Sequence, residues 1–438
     1  MTGIELREWQ RVPLARGDLG PDEHAGLLKL RHAFRLRERD GQLELRACAH
    51  VGRVQVGRLT LTVLPKLAAQ PLLRLFTYAY DLGEVKLDAP VTYPGGGLLQ
   101  DVLAEQLRRL VQQLVDRGLH RTYRRAALDL ATPRGRIDAV ALARRMPLLR
   151  PTLPCVTHDR SVDHSLNQLL LAGLVLAARV VATDSLRVKL RELAARLAEE
   201  VSPAPLTRAL LASARGALHR LVAHYRPALQ LIELLYAGSG LDLDARPTTL
   251  TASGFLFDMN RFFQALVVRL LREGLRDCVV DDEHPLRHAY RWANPRLPGR
   301  RRPTPRPDVT VVRQNRRFLL DAKYRDLSVG PLPREILYQL TVYAASQGAG
   351  GTAAMIYPRH EATALTQERL DLLAPHDAGP HASLYLRPVP LQELAASVDS
   401  GEAGSAFRRR LARTLAFGAS GDAAIAAADS SASSSSPV

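Results

Sequence analysis

Residues 307–324 read Pro-Asp-Val-Thr-Val-Val-Arg-Gln-Asn-Arg-Arg-Phe-Leu-Leu-Asp-Ala-Lys-Tyr, and this stretch decides the fold of the carboxyl-terminal part of the chain. Two runs of β-branched or apolar residues flank a polar turn, which is typical of a β-hairpin. If Gln314 and Asn315 are the two turn residues, the strands pair outward from them in a single register. That register sets Asp308 opposite Asp321.

The predicted hairpin gathers charged groups on one face. Directly opposed side chains lie roughly 5 Å apart at Cβ, and alternate residues share a face, so Lys323 points the same way as Asp321. Opposed like charges destabilise a sheet unless a cation neutralises them. Asp308 and Asp321 are therefore predicted to bind a metal ion, with the backbone carbonyl of Ala322 as a third ligand. Carboxylate and carbonyl oxygens suit Mg²⁺, with Mn²⁺ as an alternative.

Length and composition limit the class of protein. A chain of 438 residues exceeds what one hydrophobic core usually serves, so two or three domains are expected. No run of about 18 apolar residues occurs and the first residues lack a signal-peptide pattern, so we expect a soluble, cytoplasmic protein without a membrane partner. The single, scattered Cys48, Cys155 and Cys278 predict no zinc site.

The net charge of +16 indicates a polyanionic partner. Nucleic acid is favoured over a membrane surface, while a generally basic solvated surface is the alternative. We find no internal repeat and no glycine loop that would cradle phosphates, so the chain is not expected to bind or hydrolyse nucleotide itself.

The first part, residues 1–95, is predicted to be a β-rich α+β module. Residues 42–47 and 58–64 alternate apolar with polar side chains and indicate two strands, with Gly52 and Gly57 at turn positions between them.

The next part, residues 96–246, is predicted to be a helical middle region. A helix over residues 71–80 precedes it, and apolar residues recur at helical spacing from residue 98 until Gly118.

The third part, residues 247–400, is predicted to be an α/β domain with a mixed sheet flanked by helices. Its helix over 334–345 places Gln339 and Tyr343 on one face, which we expect to point outward and to hold Lys323 or the DNA backbone. Its other predicted elements are a helix capped by Asp258 or Asn260, a strand at 279–280, the hairpin, and strands at 352–357 and 383–386. Residues 401–438 are predicted to be a helical extension and a disordered Ala/Ser-rich tail.

A basic loop precedes the hairpin. Its arginines, which stand among prolines, include Arg300, Arg301, Arg302 and Arg306. Beside a nuclease site such a loop contacts phosphates; the alternative is a solvated linker.

Two carboxylates on a hard cation suit phosphodiester hydrolysis. Lys323 would then orient or help deprotonate the attacking water, or stabilise the charge that develops on phosphorus.

The hairpin with Asp308, Asp321 and Lys323, followed by the helix with Gln339 and Tyr343, resembles the PD-(D/E)xK nuclease superfamily. The resemblance is to the branch whose RecB-like members carry a downstream Gln-x3-Tyr element. Several short stretches, in the same order along the chain, also resemble McrC, the nuclease subunit of modification-dependent McrBC restriction systems. The matching stretches are Val54–Lys66, Arg134–Asp138, Phe255–Asn260, Arg306–Asp308 and Asp321–Tyr324.

The McrC resemblance implies a division of labour. This chain would cut DNA, while a separate McrB-like AAA+ GTPase ring recognises modified double-stranded DNA and translocates it. The N-terminal module would dock on that ring and stimulate its GTP hydrolysis. One residue departs from the family, which usually has a glutamate near Gln264. The resemblance then implies either that this site binds its ion more weakly or that Asp281, Asp282 or Glu283 supplies a substitute acid.

The leading interpretation is a Mg²⁺-dependent endonuclease subunit, with Asp308, Asp321, Lys323, Gln339 and Tyr343 at the catalytic site. Two alternatives stay open. One is a stand-alone RecB-like repair nuclease. The other is a DNA-binding adaptor whose nuclease site has decayed.

Overall fold

The structure is a computed structural model, and its chain divides into two compact units. It describes residues 2–14, 19–39, 42–82, 98–145, 151–239, 253–294, 296, 299–314, 316–325, 327, 331–359, 367–373 and 379–418. One unit comprises residues 1–97, 250–252 and 256–438, and the other comprises 98–249 and 253–255. The ranges predicted as an N-terminal module and a C-terminal domain therefore lie in the same compact unit.

The amino-terminal part is mainly β-structure. Its elements are β1 (Thr2–Arg7), β2 (Arg11–Leu14), α1 (Pro21–Lys29), β3 (Phe34–Arg39), β4 (Gln42–Ala47), β5 (His50–Val56), β6 (Leu59–Leu64) and α2 (Ala69–Ala79). The two predicted strands and the helix are confirmed. The prediction for Gly52 was wrong, because it lies inside β5 opposite Val63; only Gly57, with a left-handed φ of 59°, occupies the turn.

The middle unit is largely helical. Its elements are α3 (Leu99–Asp116), β7 (Thr122–Leu130), β8 (Arg136–Ile137), α4 (Ala139–Arg145), β9 (Leu153–Ser161), α5 (Ser165–Val180), α6 (Asp184–Ala198), α7 (Arg208–Gly216), a 3-10 helix (Arg220–Tyr225) and α8 (Arg226–Gly238). The small sheet β7-β9-β8 was not predicted. Most residues of β7 are exposed, and Tyr123 is 70% exposed, so the strand lacks an apolar face that alternation would reveal.

The carboxyl-terminal part alternates helices and strands. Its elements are β10 (Ser253–Asp258), α9 (Met259–Gly274), β11 (Val279–Asp282), β12 (Val309–Arg313), β13 (Arg316–Ala322), α10 (Arg334–Ala345), β14 (Gly351–Arg359), β15 (Glu368–Leu373), β16 (Pro380–Pro390), α11 (Leu391–Val398) and α12 (Gly401–Phe417). Predicted tail residues from 419 onward lie outside the described residues.

The central feature of this part is a six-stranded mixed sheet with the order β11-β12-β13-β14-β16-β15. Strands β11, β12 and β13 pair antiparallel, β13 with β14 and β14 with β16 pair parallel, and the edge strand β15 runs antiparallel to β16. The mixed sheet was predicted, but β15 was not.

The predicted hairpin register is confirmed. Val309 pairs with Leu320 and Arg313 pairs with Arg316 across the turn. One further step in the same register sets Asp308 opposite Asp321. Because both acids lie at the end of the hairpin away from the turn, they meet at the edge formed by the carboxyl end of β13.

Helix α10 covers one face of this sheet. Alternate residues of the central strands, such as Leu319, Ala353 and Met355, share a buried cluster with Leu340 of α10. Leu340 is fully buried, so its replacement by alanine would cost about 2–5 kcal/mol of folding free energy. This packing fixes α10, and with it the side chains that α10 directs toward the hairpin.

Helix α9 joins the amino-terminal strands to the mixed sheet. Of the two predicted caps, Asp258 is confirmed, because its carboxylate accepts a hydrogen bond from the Asn260 N–H at 2.9 Å. The Met259 N–H donates to the Ala49 carbonyl at 2.9 Å, and the ring of Phe262 stacks on Phe76 at 4.3 Å between centroids. Within the described ranges, no helix is long and apolar enough to cross a membrane.

Candidate active site

The two aspartates of the hairpin are held together by the backbone. Asp308 directly precedes β12, and Asp321 lies in β13 with no exposed surface. The Ala322 N–H donates to Asp308 Oδ2 at 2.9 Å, which aims the Asp308 carboxylate at the strand that carries Asp321. The two acids thus lie opposite each other, as the predicted register requires.

Both carboxylates lie in an environment that disfavours their charge. Burial, and after it the neighbouring negative charge of Asp321, raise the pKa of Asp308 to about 6, although Lys323 opposes the shift. Burial likewise raises the pKa of Asp321, against the positive charge of Lys323. A further positive charge beside the two carboxylates would therefore stabilise their ionised forms.

Lys323 supplies part of that charge. Its side-chain Nζ lies 3.0 Å from Asp321 Oδ2. Its backbone N–H donates to the Ile356 carbonyl at 2.9 Å, which extends the pairing of β13 with β14. Burial alone would lower the pKa of Lys323, but the charges of Asp321 and Asp308 outweigh burial and raise it. The side chain is therefore an ammonium ion at neutral pH.

Helix α10 contributes Gln339 and Tyr343, which share a face as predicted. The expectation that they point outward was wrong for Tyr343, which is only 2% exposed. Gln339 Nε2 donates to Asp321 Oδ1 at 3.0 Å and to Tyr343 Oη at 2.8 Å. Tyr343 Oη donates to the Arg306 carbonyl at 2.9 Å. Gln339 and Tyr343 therefore orient Asp321 and the end of the basic loop. Helical spacing predicted that the two side chains share a face of α10, but it does not predict which way that face points.

The basic loop lies between β11 and β12. Its described residues 299–308 form neither helix nor strand, and the side chains of Arg300, Arg301, Arg302 and Arg306 are exposed. The guanidinium of Arg300 stacks over the ring of Trp292 at 4.2 Å, and Trp292 Nε1 donates to the Arg301 carbonyl at 3.2 Å. Sequence reasoning did not identify Trp292, which holds this end of the loop.

Among the three acids considered as substitutes at Gln264, Glu283 is linked directly to the site. The Glu283 N–H donates to the Asp308 carbonyl at 3.1 Å, and the charge of Glu283 contributes to the raised pKa of Asp308. Asp282 instead pairs with Arg272 at 2.7 Å, and Asp281 lies 3.9 Å from His284. Gln264 is half-buried on α9.

The donor set fits a hard divalent cation held by two carboxylates. Asp321 Oδ2 is buried and has no hydrogen-bond partner of good geometry among the described residues, so its contact is the ion pair with Lys323. Oxygen ligands completed by water are typical of Mg²⁺ sites. No group of three His, Cys, Asp or Glu side chains able to hold a metal occurs in the described part of the chain. The side-chain ligands of any metal bound here would thus be Asp308 and Asp321.

Solved structures that resemble the protein include two from Thermococcus gammatolerans. A chain of the refined half-complex from the tetradecameric assembly of Thermococcus gammatolerans McrB AAA+ hexamers with bound McrC aligns with a TM-score of 0.60 and 18% identity, over 94% of this chain and 100% of that chain. A chain of the cryo-EM structure of the Thermococcus gammatolerans McrBC complex aligns with a TM-score of 0.46 and 22% identity, over 63% of this chain and 88% of that one. The first alignment shows a shared fold.

Sequence comparison identifies the family. No curated protein matches the chain significantly. The family model of the McrBC 5-methylcytosine restriction system component matches residues 45–358 and includes every ordered stretch on which the predicted resemblance rested. The match covers more than half of the chain and confirms the prediction: this protein belongs to the family of the McrBC 5-methylcytosine restriction system component.

Proposed function

We propose that the protein is the Mg²⁺-dependent DNA endonuclease subunit of an McrBC-like restriction complex. The observation that carries the proposal is the cluster of Asp308, Asp321 and Lys323 at one end of the β12–β13 hairpin. On this proposal the mixed sheet is a PD-(D/E)xK nuclease core. Membership of a restriction-system family supports the assignment.

The side chains have distinct roles in phosphodiester hydrolysis. Asp308 and Asp321 would hold the ion, with the Ala322 carbonyl as a further ligand. When bound, Mg²⁺ supplies Lewis-acid stabilisation of charge on the phosphoryl oxygens. Because its pKa is raised, Lys323 serves better as a fixed cation beside the reacting phosphate than as a general base.

Gln339 and Tyr343 act one step away from the reacting atoms. Gln339 fixes one oxygen of Asp321 and leaves the other directed at Lys323. Tyr343 ties the Arg306 carbonyl to the same helix, so the basic loop ends at the site. We propose that these two residues position the catalytic carboxylate and the DNA-contacting loop.

The arginine loop and the overall charge indicate how DNA is bound. Four exposed arginines precede the site: Arg300, Arg301, Arg302 and Arg306. Exposed guanidinium groups on a loop bind phosphates without reading base sequence. The net charge of +16 adds a sequence-independent attraction for double-stranded DNA.

The chain would work with an AAA+ GTPase ring. The related solved assembly contains McrB AAA+ hexamers with bound McrC. We propose that a similar ring binds this chain through the module at residues 1–95, delivers modified DNA, and hydrolyses GTP faster when bound. A catalytically weakened DNA-binding adaptor is the second candidate. Gln264 favours it, and the presence of Asp308, Asp321 and Lys323 opposes it.

Reconstitution tests the proposal. The chain is mixed with the McrB-like GTPase of the same genome, GTP, Mg²⁺ and a plasmid containing 5-methylcytosine, and each component is omitted in turn. Cutting that requires all components is the expected result. Cutting without the ring and GTP would favour a stand-alone nuclease, whereas DNA binding and GTP turnover without cutting would favour the adaptor.

A further inference from the structure

The residue after Lys323, Tyr324, forms a hydrogen bond with a residue that is distant in sequence. Tyr324 is 1% exposed, and its hydroxyl donates to Glu8 Oε2 at 3.2 Å. The ring of Tyr324 also packs against Phe263 of α9 at 5.9 Å between centroids. A buried side chain thus fixes the backbone directly after the lysine of the site.

Glu8 is itself held rigidly. It follows β1, is 2% exposed, and its N–H donates to the Leu64 carbonyl at 3.2 Å. The Lys66 N–H donates to the same Oε2 that accepts from Tyr324, at 2.8 Å. The carboxylate therefore joins the ends of the parallel strands β1 and β6 to the segment after β13.

The neighbouring residues repeat the contact. Trp9 follows Glu8 with a left-handed φ of 66°, and the guanidinium of Arg325 lies over its ring at 6.0 Å. The Arg325 N–H donates to the Lys323 carbonyl at 2.8 Å. Two consecutive residues after β1 thus contact two consecutive residues after Lys323, which fixes the course of the chain as well as one side chain.

Burial of the Glu8 carboxylate is costly. Burial raises the pKa of Glu8 to about 7, against hydrogen bonds from Lys66 and Tyr324, and Oε1 has no hydrogen-bond partner among the described residues. A buried carboxylate that is only partly satisfied destabilises a fold, so its presence is better explained by what it positions.

We propose that Glu8 is a positioning residue that acts through Tyr324 to hold Lys323 beside Asp321 and Asp308. The inference rests on the proposed function, because it concerns the lysine of the proposed nuclease site. It assigns the strand ends of the amino-terminal sheet a part in arranging the hairpin.

Tyr324→Phe tests the link, because it removes the hydroxyl and keeps the ring against Phe263. Tyr78→Phe is the matched control: Tyr78 is also buried and donates to a glutamate, Glu273 Oε2 at 2.5 Å, but it does not adjoin the hairpin. Glu8→Gln is the conservative variant, since its amide oxygen still accepts from Tyr324. Glu8→Leu breaks the bond from the other side and replaces Tyr324→Phe if that variant does not fold.

Cleavage in the reconstituted complex is the first readout. Tyr324→Phe is expected to lower the cutting rate roughly ten- to a hundredfold, as small misplacements of catalytic groups do. Tyr78→Phe and Glu8→Gln should cut close to the wild-type rate, and GTP turnover should be unchanged in all. Wild-type cutting by Tyr324→Phe would overturn the proposal.

The second readout does not depend on cleavage. The chain has five lysines, Lys29, Lys66, Lys86, Lys189 and Lys323. Labelling with ¹³Cε-lysine therefore gives few NMR signals, and the Lys323 signal is assigned by its loss in Lys323→Arg. Tyr324→Phe should shift this signal and Tyr78→Phe should leave it in place.

The two readouts separate the two proposals. If the wild-type chain does not cut but the Lys323 signal moves only in Tyr324→Phe, the proposed function fails and the positioning role stands. If the wild type cuts and the Lys323 signal is the same in Tyr324→Phe and Tyr78→Phe, the positioning role is overturned and the proposed function stands.

Discussion

Asp308→Asn is expected to stabilise the metal-free protein even though it removes a residue of the proposed metal site. The native state keeps the Asp308 proton up to about pH 6, whereas the unfolded state releases it near the ordinary pKa of 3.8. Between these values the native state binds more protons, so its stability falls as pH rises. The full penalty, at most about 3 kcal/mol, applies above the folded pKa.

The substitution keeps the local structure. An asparagine amide oxygen still accepts the Ala322 N–H that now bonds Asp308 Oδ2, so the hairpin retains its backbone contact. What is lost is a buried charge opposite a second carboxylate. The free energy of unfolding should therefore rise at pH 7.5 and stay nearly unchanged at pH 4.

Urea denaturation in EDTA at the two pH values measures this difference. Added Mg²⁺ should raise the stability of the wild type, because it binds only the folded pair, and should not stabilise Asp308→Asn. Asp371→Asn is the control of opposite sign, since hydrogen bonds from Ser383 and Arg369 lower the pKa of Asp371 and its loss should destabilise. A less stable Asp308→Asn at pH 7.5 would refute the reasoning.

Two further predictions concern Glu8 and the basic loop. The native state keeps the Glu8 proton up to about pH 7 but the unfolded state releases it near 4.5, so wild-type stability should fall across this window by about 3 kcal/mol. Glu8→Gln should abolish that part of the pH dependence in urea titrations. Replacing Arg300, Arg301 and Arg302 by alanine should weaken DNA binding without changing GTP turnover. The slope of log affinity against log salt concentration should become less steep by up to about 3. An unchanged salt slope would mean that the loop does not bind phosphates.

The hairpin was predictable because its determinants are local. Asp308 and the Ala322 N–H that bonds it are 14 residues apart, and a polar turn between two apolar runs leaves one plausible register. The helix of Gln339 and Tyr343 was also predictable from spacing. Which way its face points depends on the packing of Leu340 and its neighbours against the sheet, and spacing alone does not contain that information.

The parts that were missed lack a local signal. Glu8 and Tyr324 are 316 residues apart, and nothing in either neighbourhood announces the other. Strand β7 is exposed along most of its length, so it has no apolar alternation. Conversely, Gly52 was read as a turn because glycine favours turns, although strand β5 accommodates it opposite Val63.

The central claim is that the hairpin cuts DNA, and Asp321→Asn tests it most directly. The variant and the wild type are each combined with the partner GTPase ring, GTP and Mg²⁺ on plasmid containing 5-methylcytosine, and cleavage and GTP hydrolysis are followed in the same tube. We predict that Asp321→Asn abolishes cleavage while complex assembly and GTP hydrolysis stay at wild-type levels. Cleavage by Asp321→Asn at the wild-type rate would contradict the account.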